Sequence, residues 1–218
     1  PVLLIQYLDG AMELKRIPVT NEAAGTGKAL DNGLVAPRFV DINGDGTPDV
    51  AYAGDNLGNM WKFDLTNPNA SNWGVAFGGA PLFTAKGPAS LTSTSRTKVQ
   101  PITAAPIVSA NDRTMTVGTG PTAKTVAVGG MMVAFGTGRN VEKTDPSNVE
   151  VQSLYSVLDN TRYRTVTPTV GKKYLEVHPG GGTCPNGANC VPAPAALGEG
   201  VATAKLGQQK ITELAGGN

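Results

Sequence analysis

The chain has 218 residues, enough for one or two domains, and its 28 Gly and 16 Pro favour many turns over long helices, which excludes helical bundles and coiled coils. Eighteen Lys and Arg stand against 17 Asp and Glu with a single His, a net charge of +1, and no basic run supplies a footprint for nucleic acid or anionic lipid. No stretch approaches the roughly 20 apolar residues needed to cross a bilayer, so no direct membrane span is expected.

The opening PVLLIQYLDG has neither a basic start nor a small-residue cleavage site and no initial Met, and the expectation is a piece of a longer or processed protein. Residues 2–8 (VLLIQYL) and 12–19 (MELKRIPV) are predicted strands joined by the turn Asp9-Gly10. A Gly/Ala/Asn loop at 21–34 follows. Further strands are predicted at 35–40 (VAPRFV), 50–54 (VAYAG), 60–65 (MWKFDL), 73–77 (WGVAF) and 81–84 (PLFT). Four antiparallel strands in about 40–50 residues is the size of one propeller blade.

Between the strands at 35–40 and 50–54 lies the most specific motif, FVDINGDGTPDV at 39–50. Asp41, Asn43, Asp45 and Asp49 fall at positions 1, 3, 5 and 9 of a tight loop, Thr47 at position 7 offers a backbone carbonyl, and Gly46 sits where the chain must turn sharply. Alternating hard oxygen donors on a curve repel one another when unpaired, and Ca²⁺ relieves that repulsion while tolerating an irregular oxygen shell. Position 12 is Tyr52, so the bidentate Glu of an EF-hand is missing, and VAYAG is strand-like rather than an exiting helix. The expectation is an EF-hand-like calcium loop between strands, with Asp41, Asn43, Asp45, Thr47 and Asp49 as metal ligands. The alternative is a solvated acidic turn, since N-G and D-G pairs turn well unaided.

AGDNLGNMWKFDL at 53–65 turns through a Gly-Asp pair into a strand whose Trp61 and Phe63 are expected to pack between blades, with Met60 and Lys62 facing the other way. A second unit spans strands at 99–109 and in TMTVG, a weakly patterned stretch at 118–127, then MMVAFGTG (131–138) and QSLYSVLDN (152–160). AYAGDNLGNMWKFDL and VAFGTGRNVEKTDPSNVEVQSLYSVLDN share a course from a small apolar strand, through a polar turn, to an aromatic strand closing on Asp, a weak internal echo. KKYLEVH (172–178) is a predicted strand. Cys184 and Cys190, the only cysteines, flank PNGAN and are expected to form a local disulfide in an oxidising compartment. At about 40–45 residues per blade the length allows four to five blades. Residues 1–160 are read as propeller blades, with 161–218 as further strands and an irregular Gly/Ala/Pro-rich segment of the same domain.

VDINGDGTPDVAYAGDNLGNMWKFDL, QPITAAPIV, VAFGTGRNVE and QSLYSVLDN, in that order, resemble the C-terminal domain of the PilY/PilC family of type IV pilus biogenesis factors and tip-associated adhesins, over about residues 9–160. The resemblance implies an all-β, modified β-propeller displayed outside a Gram-negative cell on the pilus or cell surface. It also implies calcium binding at Asp41, Asn43, Asp45, Thr47 and Asp49 that regulates pilus extension and retraction, and pilin or minor pilin subunits and host surface ligands as partners. The chain begins partway into the family's propeller, and 161–218 matches none of its motifs. No catalytic residues are expected. A quinone-dependent propeller dehydrogenase, suggested by AGD-x-x-G-x-x-W-x-F-D, lacks a visible set of catalytic acids. A Ser-His-Asp hydrolase would have only His178 as its base, and an FG-GAP-type calcium-binding adhesin module would show several such loops where this chain has one.

Overall fold

A computed structural model describes residues 1–19, 32–88, 93, 95–117, 119–139, 141–148, 150–183, 189–191 and 193–200. Apolar residues on one face make the first hairpin: β1 (Val2–Gln6) pairs antiparallel with β2 (Leu14–Pro18), with Leu3 opposite Ile17. The strands are shorter than the sequence suggests because Asp9, Gly10 and Met12 open a wide connection, Gly10 and Met12 both taking positive φ. Pro37 delays the next strand, since proline has no amide for a ladder, and β3 (Arg38–Val40) starts directly after it.

β3, β4 (Val50–Gly54), β5 (Asn59–Asp64) and β6 (Gly74–Val75) form one antiparallel sheet, and β7 (Phe83–Thr84) pairs with the start of β5. β6 is only two residues long. Phe77 and Gly78 turn to positive φ and bend the expected strand WGVAF into a single 3₁₀ turn. Beyond a hairpin of β8 (Lys86–Pro88) with β9 (Arg96–Val99), a second sheet is built in the order β10 (Ile107–Ala110), β13 (Met131–Gly136), β14 (Leu154–Asp159). The hairpin β11 (Thr114–Val117) and β12 (Lys124–Ala127) projects between β10 and β13. The pairs β15 (Tyr163–Val166) with β16 (Tyr174–Val177), and β17 (Gly181–Thr183) with β18 (Asn189–Val191), follow. Among the described residues the regular structure is all-β and antiparallel, with only short 3₁₀ turns between strands.

Residue alternation places the core. In β4 every residue is buried, Val50 and Tyr52 against the second sheet, Ala51 and Ala53 against the first hairpin. β5 does the same: Met60 packs toward Phe135, Tyr155 and Val157, while Trp61 and Phe63 pack toward Leu3, Ile17 and Val19. The rings of Phe83, Phe135 and Tyr155 meet at centroid distances of 5.1–6.2 Å and close the seam between the two sheets. Gln100 is buried there with its polar atoms paired: Nε2 donates to Val151 O and Ser153 Oγ, and Oε1 accepts from Tyr155 Oη at 2.9 Å. Residues 197–200 return beside β7 in parallel, Leu197 N donating to Leu82 O and Thr84 N to Gly198 O.

Candidate functional site

The loop 41–49 closes the β3–β4 hairpin, where Val40 faces Val50 and Asp49 N donates to Val40 O at 2.9 Å. Two positive-φ glycines, Gly44 at 75° and Gly46 at 87°, let the chain reverse twice in three residues. Asp41 organises the curve from inside: Oδ1 accepts from Gly44 N at 2.7 Å and Asp45 N at 3.2 Å, and Oδ2 from Gly46 N at 2.7 Å. Asn43 Oδ1 accepts from Asp45 N at 2.9 Å while its Nδ2 donates to Asp45 Oδ2 at 3.1 Å. Thr47 N donates to Asp45 Oδ1 at 2.8 Å. Asp49 stands at the root of the loop, 7% exposed, its Oδ2 accepting from Ile42 N at 2.7 Å.

The five residues expected to hold a metal therefore lie on one continuous curve, with Asn43 and Asp45 in direct contact, Asp41 turned to the amides of 44–46, and Asp49 bridging back to Ile42. Among the described residues, no group of three or more His, Cys, Asp or Glu is drawn together into a preformed metal cluster. The donor chemistry fits a hard cation all the same. Burial is the main cause that raises the Asp49 carboxyl above its ordinary value; the Ile42 and Asn43 amides oppose it, and the charges of Asp45 and Asp41 raise it further. Three carboxylates thus sense one another across the loop, the condition a divalent oxygen-seeking ion relieves. Asp45, at the exposed tip, is held below the usual carboxylate range by the Thr47 amide first and by Asn43 next.

AGDNLGNMWKFDL is a structural unit. Asp55 is fully buried: Oδ1 accepts from Leu57 N and Asn59 N, both at 2.9 Å, and Oδ2 from Asn59 Nδ2, from Trp61 Nε1 at 2.8 Å and from Asn32 Nδ2. Trp61 spends its indole N–H on Asp55 and its faces on the hairpin core, as the packing expectation requires, which leaves no open ring face for a stacked cofactor. His178 serves a local turn, its Nδ1 accepting from Gly180 N at 3.1 Å. The disulfide expectation falls on Cys184, outside the described residues.

Sequence reasoning missed the polar hub behind the loop. Lys62, on β5, reaches across the seam to Asp159, the last residue of β14: Nζ lies 2.5 Å from Oδ2, and both side chains are 1% exposed. Tyr52 Oη donates to the same Oδ2 at 2.6 Å. Tyr163 borders the hub, and burial followed by the charges of Asp159, Asp64 and Asp49 pushes its hydroxyl far above its ordinary value. That sequence of carboxylates runs from the loop root to the seam. A second missed carboxylate, Asp145, accepts from the amides of Val141 and Glu142 and from Arg139, fixing the turn after β13. The signal for both was an Asp beside small or turn residues, too common to single out.

The family model described as the PilY1 beta-propeller domain matches residues 3–175. The type IV pilus biogenesis factor PilY1 of Pseudomonas aeruginosa is 34% identical over 167 residues, covering 68% of this chain and 13% of that protein. A PilY1 homolog of Xylella fastidiosa is 36% identical over 132 residues, 61% of this chain and 8% of that protein. The crystal structure of the P. aeruginosa PilY1 C-terminal domain superposes with a TM-score of 0.52 at 31% identity, covering 73% of this chain and 31% of that one. The chain thus spans about an eighth of the first of these relatives.

Proposed function

The chain belongs to the PilY1 β-propeller family, and from that premise we propose that it is the calcium-binding propeller portion of a type IV pilus biogenesis and adhesion factor, acting outside the cell without catalysis. The single observation that carries the calcium reading is the loop 41–49, in which Asp41, Asn43, Asp45, the Thr47 carbonyl and Asp49 follow one another on a curve rooted in the first sheet. Bound there, Ca²⁺ supplies charge neutralisation for three carboxylates that otherwise repel.

The chain's own residues pass that neutralisation inward. Asp49 N donates to Val40 O and Asp49 O accepts from Leu65 N, so the loop root is tied to β3 on one side and to the residue after β5 on the other. Tyr163 and the Lys62–Asp159 hub lie beyond it. A loop whose charge balance changes with calcium thereby changes the tension on the seam between the two sheets, and a pilin or minor pilin subunit contacting these blades would read that change during extension and retraction.

Isothermal titration of the chelator-stripped chain tests the site. One saturable Ca²⁺ event is expected, on the order of micromolar to millimolar because a bidentate Glu is missing, and it is lost in Asp41→Ala. A flat titration through several millimolar removes the reading. In pilus-bearing bacteria, Asp49→Ala in the genomic copy is expected to leave the domain folded while altering surface pilus number and twitching.

A further inference from the structure

The Lys62–Asp159 contact has features that an ordinary ion pair does not need. Nζ touches Oδ2 at 2.5 Å with both side chains 1% exposed, whereas the other ion pairs among the described residues each have at least one partner open to solvent. Three rings surround Nζ, with centroids at 5.2 Å (Tyr163), 5.4 Å (Phe77) and 6.0 Å (Tyr52). The carboxyl group is held at both oxygens. Oδ1 takes the Thr161 amide at 2.9 Å and its hydroxyl at 2.6 Å, and Oδ2 takes the Tyr52 hydroxyl at 2.6 Å. A nucleophilic amine and an immobilised carboxyl, each 1% exposed, thus touch inside an aromatic cage that excludes water.

We propose that Lys62 and Asp159 condense to an intramolecular isopeptide bond that covalently joins β5 of the first sheet to β14 of the second. The step balances without any other reactant. Transfer of one ammonium proton to the carboxylate gives a neutral amine and a neutral acid; Nζ attacks Cγ, the Cγ–Oδ2 bond breaks, and Oδ2 departs as water carrying the two protons that Nζ has lost. Negative charge forms on the retained Oδ1, where the Thr161 amide and hydroxyl already donate, the placement that stabilises charge developing at that atom, while the Tyr52 hydroxyl on Oδ2 gives its proton to the departing oxygen and recovers one from Nζ.

Two general effects drive the reaction. Groups held in contact react as though at an effective concentration on the order of 10⁵–10⁸ M, which overcomes the preference of a free amine and acid to remain apart in water. A buried ion pair carries the desolvation cost of two charges, and a neutral amide carries only the smaller cost of a polar group. Burial also pushes the Lys62 amine below its ordinary value, against the opposing pull of Asp159, and so favours the nucleophilic form.

Mass spectrometry decides the matter. The folded chain is reduced, denatured, weighed intact and digested with trypsin. The expected mass is one water below the sequence mass, with a branched peptide linking the segments that carry Lys62 and Asp159. Lys62→Arg, which keeps the cation but cannot form this amide, returns the full mass. Asp159→Asn condenses with loss of ammonia and yields the same mass as the linked wild type. A folded wild-type chain at the full sequence mass overturns the proposal, and so does a water loss that maps to Asp45-Gly46, where an Asp-Gly pair can cyclise on its own backbone. Because the wild-type chain carries the decision, a variant that fails to fold does not blunt the test.

Discussion

Asp64 and Asp159 occupy the same place in two successive sheets: each is the sixth and last residue of its strand, and each Oδ1 accepts from the amide and the hydroxyl of the threonine two residues on, at 2.9 and 2.6 Å in both cases. The partner strands agree, Val50 facing Asp64 as Met131 faces Asp159. The echo between the two sequence segments is therefore a structural repeat, closed each time by Asp-x-Thr. Two residues before the Asp the copies part, the first having Lys62 and the second Val157.

Burial sets the cost of removing each threonine hydroxyl. Thr161 is buried and Thr66 half-buried. Thr161→Val is expected to lower unfolding free energy by about 1–3 kcal/mol, because a buried acceptor loses a partner, and Thr66→Val by less than about 1 kcal/mol. Urea denaturation of the two variants side by side checks the order.

Asp55 gathers five donors into a fully buried carboxylate. Asp55→Ala strands the Trp61 N–H and unties the turn 55–59, and a loss of about 3 kcal/mol or more is expected, with a shift in tryptophan emission before global unfolding. An unchanged midpoint in urea would show that this hub does not hold the β4–β5 connection.

Glycine substitutions separate crowded sites from open ones. A Cβ on Gly130 (φ +83°) would stand 2.1 Å from Asp159 O, whereas one on Gly44 (φ +75°) meets nothing within 4 Å. Gly44→Ala carries only the left-handed backbone cost, about 1 kcal/mol. Gly130→Ala must also displace the backbone of β14, and its thermal midpoint is expected to fall well below that of Gly44→Ala.

The pH response of the loop follows from Asp49, whose carboxyl is raised by burial. A raised folded-state value means that the group's contribution to stability is complete below its unfolded value and is lost as pH climbs through the folded one. At neutral pH without cation the Asp49 charge is a net cost, so Asp49→Asn in chelator is expected to match or exceed the wild type in thermal stability, the advantage vanishing toward acid. With Ca²⁺ the order reverses, the wild type gaining about 2.7 kcal/mol at a hundredfold excess over Kd. Melting curves with and without Ca²⁺ at acid and neutral pH test both signs.

The loop was legible because its determinants are local: Asp, Asn and Gly at fixed spacing dictate turns whose amides they also satisfy. The propeller order of strands was legible from alternation and the aromatic strand MWKFDL. β12 and β15 escaped notice because KTVA and YRTV mix polar and β-branched residues without a clean period. The Lys62–Asp159 contact was invisible for a different reason. Alternation states that Lys62 faces away from Trp61, but only the packing of two sheets distant in sequence states what it meets.

The parallel run of residues 197–200 beside β7 bears on how the chain matures. Until that stretch has been synthesised, Leu82 O, Thr84 N and Thr84 O stand as an unsatisfied sheet margin next to Phe83, a template for pairing with a neighbouring nascent chain. Synthesis from the N-terminus thus leaves a window in which the margin beside β7 is open, and the arrival of a segment made more than a hundred residues later closes it.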